Sequence, residues 1–338
     1  MKKVAFFDTK DYDREHFDKI NKNFNIKYFK ERLTPETAEL ARGCDGAVAF
    51  VNDKINSKSI KTLSENGVKI LALRCSGFNN VNFKAAHECG MKVVRVPVYS
   101  PYSVAEYAMS LLLTLNRKLH KAYNRTRDFN FSLTGLTGFD IYGKTIGVIG
   151  TGKIGQIFIK ICQGFGMRVL AYDPYKNENA DFEYSDLDTI YRESDAISLH
   201  CPLTPENHHM INDEAFDKMR KNVFIINTSR GGLIDSEALL KALKSGKIAG
   251  AGLDVYEEEA SLFFEDKSDT IIDDDILARL VSLPNVILTS HQAFLTDEAL
   301  TNIAEITIGN LEDYFSERPL KNQVCYDCNS DSATTNCK

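Results

Sequence analysis

The chain has 338 residues, 43% of them hydrophobic and 26% charged, the balance of a globular protein with room for roughly two domains. A formal net charge of −6 gives no electrostatic basis for binding nucleic acid or an anionic membrane surface, and no apolar run approaches the ~18–20 residues that span a bilayer. The N-terminus, Met1-Lys2-Lys3-Val4-Ala5-Phe6-Phe7-Asp8, reads as a first strand and lacks the apolar core and small-residue cleavage site of a signal peptide, so a cytoplasmic location is expected.

In chain order, Val4 to Phe7, Gly46 to Val51, Ile70 to Arg74 and Val93 to Val96 read as short buried strands. Lys/Glu-rich stretches between them, such as Ser57 to Asn66, read as helices. Continuous apolar strands alternating with helices imply a parallel sheet covered on both faces. Pro97 and Pro101 bracket a break. Ser103-Val104-Ala105-Glu106 matches a capping box, followed by apolar residues at Val104, Tyr107, Ala108, Leu111, Leu115 and Leu119 that predict a long connecting helix. Residues 125 to 143 look irregular and aromatic.

A second α/β pattern runs from Thr145. Its six expected strands are Thr145 to Ile149, Arg168 to Tyr172, Ala196 to His200, Val223 to Asn227, Ile248 to Asp254 and Val286 to Thr289, enough for a doubly wound sheet of two mononucleotide halves. A last helix is expected after His291, with Thr296 as N-cap and Asp297 and Glu298 in its first turn, reaching about Phe315. The predicted architecture is α/β with two doubly wound domains. A Rossmann dinucleotide-binding domain, residues 101–295, is inserted into a discontinuous, flavodoxin-like substrate domain made of residues 1–100 and 296–338.

Gly150-Thr151-Gly152-Lys153-Ile154-Gly155 follows the strand Thr145 to Ile149 and opens a helical segment, Ile154 to Phe165. Asp173 closes the next apolar run, 18 residues beyond Gly155 (173 − 155). Strand, glycine turn, helix, strand and terminal acid form a dinucleotide-binding unit. The glycines let the backbone approach a pyrophosphate, the helix N-terminus turns its unpaired N–H groups to the phosphates, and Asp173 accepts from the ribose hydroxyls. A carboxylate there repels a 2′-phosphate, and Pro174-Tyr175-Lys176 offers only Lys176 against that repulsion, so NAD is predicted over NADP.

Eight cysteines, Cys44, Cys75, Cys89, Cys162, Cys201, Cys325, Cys328 and Cys337, are too scattered for a disulfide framework. Cys325 and Cys328 form a C-x-x-C with Cys337 nearby, but the tail has no His as a fourth ligand. No metal is expected, and residues from about 329 on read as disordered.

Three chemically capable residues fall at strand ends: Arg230 in Asn227-Thr228-Ser229-Arg230-Gly231-Gly232, Glu259 beyond Leu253-Asp254-Val255, and His291 after Ile287-Leu288-Thr289-Ser290. Ligands of doubly wound sheets bind outside the carboxyl ends of the strands. A guanidinium grips a carboxylate at two points, an imidazolium protonates a carbonyl oxygen, and a carboxylate beside that ring favours its charged form. The set suits hydride chemistry on a 2-oxo acid with a nicotinamide cofactor.

Asn227-Thr228-Ser229-Arg230-Gly231, Gly252-Leu253-Asp254-Val255-Tyr256-Glu257 and His291-Gln292-Ala293-Phe294 resemble the D-isomer-specific 2-hydroxyacid dehydrogenases. Leu73-Arg74-Cys75-Ser76-Gly77-Phe78-Asn79-Asn80-Val81, Arg125-Thr126-Arg127-Asp128, His200-Cys201-Pro202-Leu203-Thr204-Pro205-Glu206-Asn207 and Leu262-Phe263-Phe264-Glu265-Asp266-Lys267-Ser268 carry the same likeness, which is strongest to the fermentative D-lactate dehydrogenases of bacteria. It covers nearly the whole chain and fades past about Cys325. The resemblance implies reversible reduction of pyruvate to D-lactate with NADH at a cleft that closes on the substrate. Arg230 would bind the substrate carboxylate, His291 would donate the proton and Glu259 would be its partner. Ser76 and Gly77 would offer backbone groups, Tyr99 would contact substrate and Phe294 would line the pocket. Lys153, Ile154, Asp173, Cys201, Pro202, Asn207, Thr228, Ser229, Arg230 and Asp254, with the three glycines, would hold the cofactor. Phe50 and Phe294 suggest a small substrate. The resemblance also implies a homodimer or homotetramer formed through the cofactor domains. A larger 2-oxo acid remains open as substrate, as does an NAD-sensing, corepressor-like binding protein. A phosphoglycerate dehydrogenase often adds a C-terminal regulatory domain, for which this length leaves no room.

Overall fold

The computed structural model describes residues 1–259 and 262–324; Cys325, Cys328, Cys337 and the tail expected to be disordered lie outside them. The chain forms two compact units, Met1–Ser100 together with the chain from Leu295, and Pro101–Phe294. In order, the first stretch holds β1 (Lys2–Phe6), α1 (Asp11–Ile20), β2 (Phe24–Tyr28), β3 (Gly46–Ala49), α2 (Ser57–Glu65), β4 (Ile70–Leu73), α3 (Phe83–Glu88) and β5 (Lys92–Val94). The second unit holds α4 (Pro101–Arg117), α5 (Leu119–Arg127), β6 (Thr145–Ile149), α6 (Lys153–Gly164), β7 (Arg168–Tyr172), β8 (Glu183–Tyr184), α7 (Leu187–Glu193), β9 (Ala196–Leu199) and α8 (Asp213–Lys218). It continues with β10 (Val223–Asn227), α9 (Ser236–Lys244), β11 (Ile248–Leu253), α10 (Asp275–Ser282) and β12 (Val286–Leu288). The chain then adds α11 (Asp297–Phe315) and β13 (Gln323–Val324) to the first unit.

The first unit's sheet has the order β13-β5-β4-β3-β1-β2. Its parallel part is the flavodoxin-like order 2-1-3-4-5, and β13 joins antiparallel to β5, so the sheet is not wholly parallel as the sequence suggests. The central strands β3 and β4 are buried at every residue. Strand β2, Phe-Asn-Ile-Lys-Tyr, lies at the edge and alternates buried or half-buried side chains with exposed ones, which is why continuous apolar runs do not reveal it. Thr296 caps α11 by accepting from the Ala299 N–H, with Asp297 and Glu298 in the first turn, as the sequence indicates.

The second unit's sheet has the order β12-β11-β10-β9-β6-β7-β8, all parallel. Counted from β6 this is 3-2-1-4-5-6 with one further strand, the doubly wound nucleotide-binding order. The six strands read from the sequence are present, but a seventh, β8, is added. Its two residues, Glu183 and Tyr184, are too few to register as an apolar run. One core cluster gathers Leu112, Phe158 and Ile159 from α4 and α6; the other gathers Ile190, Phe216, Leu239 and Leu280 from α7 to α10.

The connecting helix differs from its sequence reading at both ends. It starts at Pro101, not at a Ser103 cap, because proline's fixed φ and missing N–H suit the first helical turn; Ser103 is buried inside it. It ends at Arg117, where Lys118 takes a left-handed conformation (φ 52°), and α5 then continues to Arg127 into the segment read as irregular. No helix of the described residues is long and apolar enough to cross a membrane.

A charged group lies at the heart of the first unit. Arg74, fully buried, pairs with Asp13 at 3.1 Å, donates to the Asp8 carbonyl at 2.8 Å and sits 3.7 Å over the Phe50 ring. Phe50, expected to line a substrate pocket, is buried in the first unit with this guanidinium over its ring. Burial raises the Asp13 carboxyl, against the pull of Arg74, and pushes Asp53 up to about 7 although it accepts the Leu33 and Phe50 N–H groups. Removing one partner of a buried ion pair costs about 3–5 kcal/mol. Arg74→Met is therefore expected to lower unfolding stability by about that amount, with part of it regained when Asp13→Asn is added, as measured by urea denaturation.

Candidate active site

The glycine turn lies at the topological switch point of the second sheet, between the carboxyl ends of β6 and β9, where ligands of such sheets bind. Gly150 has φ +98°, and a Cβ there would fall 2.6 Å from the Cys201 nitrogen and the His200 carbonyl carbon. A Cβ on Gly155 would stand 2.0 Å from the Gly150 oxygen. The two glycines allow the turn to press on β9 and on the first turn of α6. Gly152 differs: a Cβ there would meet no protein atom within 4 Å, and its backbone faces open space at the start of α6, next to exposed Lys153 and half-buried Ile154.

Asp173, at the end of β7, accepts from the Thr151 N–H at 2.7 Å and the Tyr175 N–H at 2.9 Å. The Thr151 hydroxyl bonds both Asp173 (3.2 Å) and the Tyr184 hydroxyl (2.9 Å). The acid thus shapes the turn as well as edging it, a second task the sequence did not disclose. Half-buried His200 bonds Ser198 Oγ at 2.9 Å, and burial lowers its pKa to about 3, so it is neutral packing behind the turn. Burial pushes the half-covered Cys201 thiol up to about 11. The Asn207 amide serves its own loop, donating to the Pro202 carbonyl and accepting the Thr204 N–H.

The turn after β10 carries Thr228, Ser229 and Arg230. Buried Asn227 clamps it, accepting the Ser229 N–H at 3.0 Å and donating to the Arg230 carbonyl at 2.9 Å. Ser229 Oγ donates to the Cys201 carbonyl across the switch point, and Thr228 Oγ1 is buried without a hydrogen-bond partner. Arg230 donates Nη1 to the Ser229 carbonyl at 2.7 Å and forms no ion pair among the described residues. Gly231 is a requirement that the sequence did not single out: a Cβ there would lie 2.1 Å from the Tyr256 carbonyl carbon and 2.4 Å from the Glu257 nitrogen.

His291 and Glu259 meet, although they lie 32 residues apart: Nδ1 of the imidazole is 2.8 Å from Oε1 of the carboxylate. An ionised carboxylate only accepts, so Nδ1 carries the proton and Nε2 faces away from this partner. The other Glu259 oxygen accepts the Tyr256 N–H at 3.0 Å. Both side chains are about four-fifths buried, with 20% and 18% exposure. Asp254 sets the loop beneath them. Fully buried, it accepts from the Gln292 and Ala293 N–H groups (2.9 and 2.8 Å) and from Thr289 Oγ1 (2.6 Å), while its carbonyl accepts the His291 N–H at 2.7 Å. Burial raises its carboxyl pKa, against these bonds. Thr289 escaped the sequence reading because an ordinary strand-end threonine gives no signal.

Of the substrate set, Arg230, Glu259, His291 and Phe294 belong to the second unit, whereas Ser76, Gly77 and Tyr99 belong to the first. In the first unit the Ser76 carbonyl accepts from Arg95 Nη1 at 2.8 Å, the Gly77 carbonyl accepts the Cys75 thiol, and the Tyr99 carbonyl accepts the Asn302 amide at 2.6 Å.

The second unit matches the model of the D-isomer specific 2-hydroxyacid dehydrogenase NAD-binding domain over residues 109–293. The chain is 54% identical over 327 residues to a 2-hydroxyacid dehydrogenase homolog of Haemophilus influenzae, covering 95% of this chain and 99% of the relative. It is also 54% identical over 316 residues to D-lactate dehydrogenase of Escherichia coli, covering 92% and 96%. The apo structure of the Escherichia coli D-lactate dehydrogenase superposes with a TM-score of 0.89 at 50% identity, covering 95% of this chain and 99% of that one. The chain belongs to the D-isomer specific 2-hydroxyacid dehydrogenase family. It is an NAD-dependent oxidoreductase.

The open backbone at Gly152, the close-packed Gly150 and Gly155 and the unpartnered Thr228 hydroxyl fit a dinucleotide. The contact at Gly231 gives a direct test of how the Arg230 turn is held. Gly231→Ala is expected to force the Arg230 turn and the Tyr256–Glu257 backbone apart, costing about 1–3 kcal/mol as in other overpacked sites. A lowered melting temperature with a weakened kcat/KM is the expected result, read by calorimetry and by NADH oxidation.

Proposed function

We propose that the chain reversibly reduces pyruvate to D-lactate with NADH. The observation that carries this reading is the His291–Glu259 pair at 2.8 Å, held in the same unit as an Arg230 that forms no ion pair among the described residues. The 54% identity to a D-lactate dehydrogenase supports the choice of acid. Gly150, Gly152, Lys153, Ile154, Gly155, Asp173, Cys201, Pro202, Asn207, Thr228, Ser229 and Asp254 would hold the cofactor, and the bound nicotinamide supplies or takes up hydride. Arg230 grips the substrate carboxylate with two parallel N–H donors. Glu259 fixes the ring of His291 and supports its charge, so that the Nε2 proton passes to the carbonyl oxygen of pyruvate and returns when lactate is oxidised. Ser76, Gly77, Tyr99 and Phe294 complete the substrate set in this reading, and residues 1–100 with 296–338 form the substrate domain.

A cytoplasmic homodimer or homotetramer belongs to the same reading. Five described cysteines are all unpaired, which suits a reducing compartment. Tyr123, Phe129, Phe131 and Leu133 are 61–84% exposed on a segment stapled by Lys118 and Arg125 to its own carbonyls, an apolar patch suited to a second copy.

His291→Gln is expected to lower kcat for pyruvate reduction by about 10²–10⁴-fold, the usual contribution of a general acid, while NADH affinity by fluorescence titration stays near that of the parent; full activity would remove His291 from the role. Arg230→Lys is expected to raise KM for pyruvate by about 10–100-fold, the loss of one charged hydrogen bond of roughly 1.5–3 kcal/mol. With Asp173 in place, NADPH is expected to support turnover far more slowly than NADH; equal rates would show that the acid does not select the cofactor.

A further inference from the structure

The second unit gathers a further set of side chains that the dehydrogenase reaction does not use. His208 and His209 follow the short turn Pro205–Asn207, in the loop after β9, and Glu257 lies in the turn after β11. Their ligand atoms all fall within 4.8 Å of one another. His209 Nε2 meets Glu257 Oε1 at 2.5 Å, His208 Nε2 lies 3.9 Å from the same oxygen, and the two rings stack with centroids 3.9 Å apart.

The groups around this cluster orient it as outer groups orient metal ligands. Asp235 Oδ2 stands 3.7 Å from His209 Nδ1, and Ser236 Oγ donates to the second Glu257 oxygen at 3.1 Å. A carboxylate behind the imidazole and a hydroxyl behind the carboxylate are the arrangement that fixes ligand direction in metal sites. His209 holds a left-handed backbone (φ 53°), with its N–H bonded to the Gly232 carbonyl at 2.9 Å; strain of this kind in a non-glycine residue gathers at functional positions. The three side chains are 52%, 33% and 24% exposed, so water can complete a coordination sphere.

We propose that His208, His209 and Glu257 form a binding site for a divalent late transition-metal ion, with zinc as the test ion. Two imidazoles and one carboxylate suit zinc, copper or nickel, and not the all-oxygen preference of magnesium or calcium. The ion takes the place between His209 Nε2 and Glu257; the neutral imidazole then carries its single proton on Nδ1, the nitrogen that faces Asp235. The ion joins the loop that carries Cys201, Pro202 and Asn207 to the turn that carries Glu259, and so ties a cofactor loop to the partner of His291. The site does not depend on which 2-oxo acid the enzyme reduces. The sequence reading expected no metal because the histidine pair and Glu257 are 48 residues apart (257 − 209), and only the C-x-x-C tail showed ligand spacing.

The test uses the full chain, stripped with a chelator, with Cys325, Cys328 and Cys337 changed to serine so that the tail cannot compete. Zinc titration by calorimetry is expected to give one ion per chain and a raised melting temperature. Cobalt substitution is expected to give visible bands without thiolate charge transfer. His208→Ala and Glu257→Gln are each expected to abolish that binding, and Asp235→Asn, which keeps the helix cap, to weaken it by about 10–100-fold. His208 is half exposed, so His208→Ala carries the test if Glu257→Gln lowers the melting temperature of the metal-free protein. The absence of saturable zinc binding, binding unchanged in His208→Ala, or a thiolate spectrum would each overturn the proposal.

Discussion

The second unit's chemistry depends on one buried carboxylate. Asp254 follows β11 with no exposure, and its two carboxylate oxygens and its carbonyl take four bonds from the segment 289–293. Sequestering a carboxylate from water costs several kcal/mol, and burial accordingly raises its pKa. Hydrogen bonds to a charged group contribute about 1.5–3 kcal/mol each, so the three to the carboxylate offset that cost. Their effect is to hold His291 in a left-handed conformation (φ 54°), uncommon for a residue other than glycine. Asp254 therefore positions the segment 289–293 and, with it, His291.

The same region uses glycine where two backbones touch. Gly150 lies on the 200–201 peptide, Gly155 on Gly150, and Gly231 on the 256–257 peptide. At each of these contacts a methyl group would sit within 2.6 Å of a main-chain atom, a distance that no rotamer change relieves. Each contact joins the ends of neighbouring elements: β6 to β9, the phosphate turn to α6, and the Arg230 turn to the turn holding Glu257 and Glu259. The strand-end loops are therefore locked to one another through the main chain, and their side chains inherit fixed positions.

Much of this was legible in the sequence. Buried parallel strands announce themselves as apolar runs, and all four read in the first hundred residues are present to within two residues at either end. Arg230, Glu259, His291 and Asp173 stood out as candidates because strand ends in such sheets carry function, and the structure brings His291 and Glu259 together. What escaped had no local signal. Strand β2 alternates at an edge, β8 is two residues long, and Gly231 looks like any other loop glycine until the packing of Tyr256 against it is known. Phe50 has a structural task that its sequence position does not show: the buried Arg74 guanidinium sits over its ring. Burying a charge demands partners, and that demand is invisible until the fold brings Asp8, Asp13 and Phe50 around it.

The turn after β11 shows how closely separate tasks are joined. Glu257 and Glu259 are two residues apart, yet their partners come from different loops: His209 after β9 and His291 after β12. Between them the Tyr256 N–H holds Glu259, the Tyr256 hydroxyl bonds Asp274 at the start of α10, and Gly231 packs beneath the backbone. Only two peptides separate Glu257, which meets the histidine pair, from the carboxylate that bonds His291. The coupling requires no long-range pathway, because both carboxylates hang on one turn whose backbone is clamped from below by the residue following Arg230. The placement of the His291–Glu259 pair and that of the loop after β9 are thus tied to the same turn.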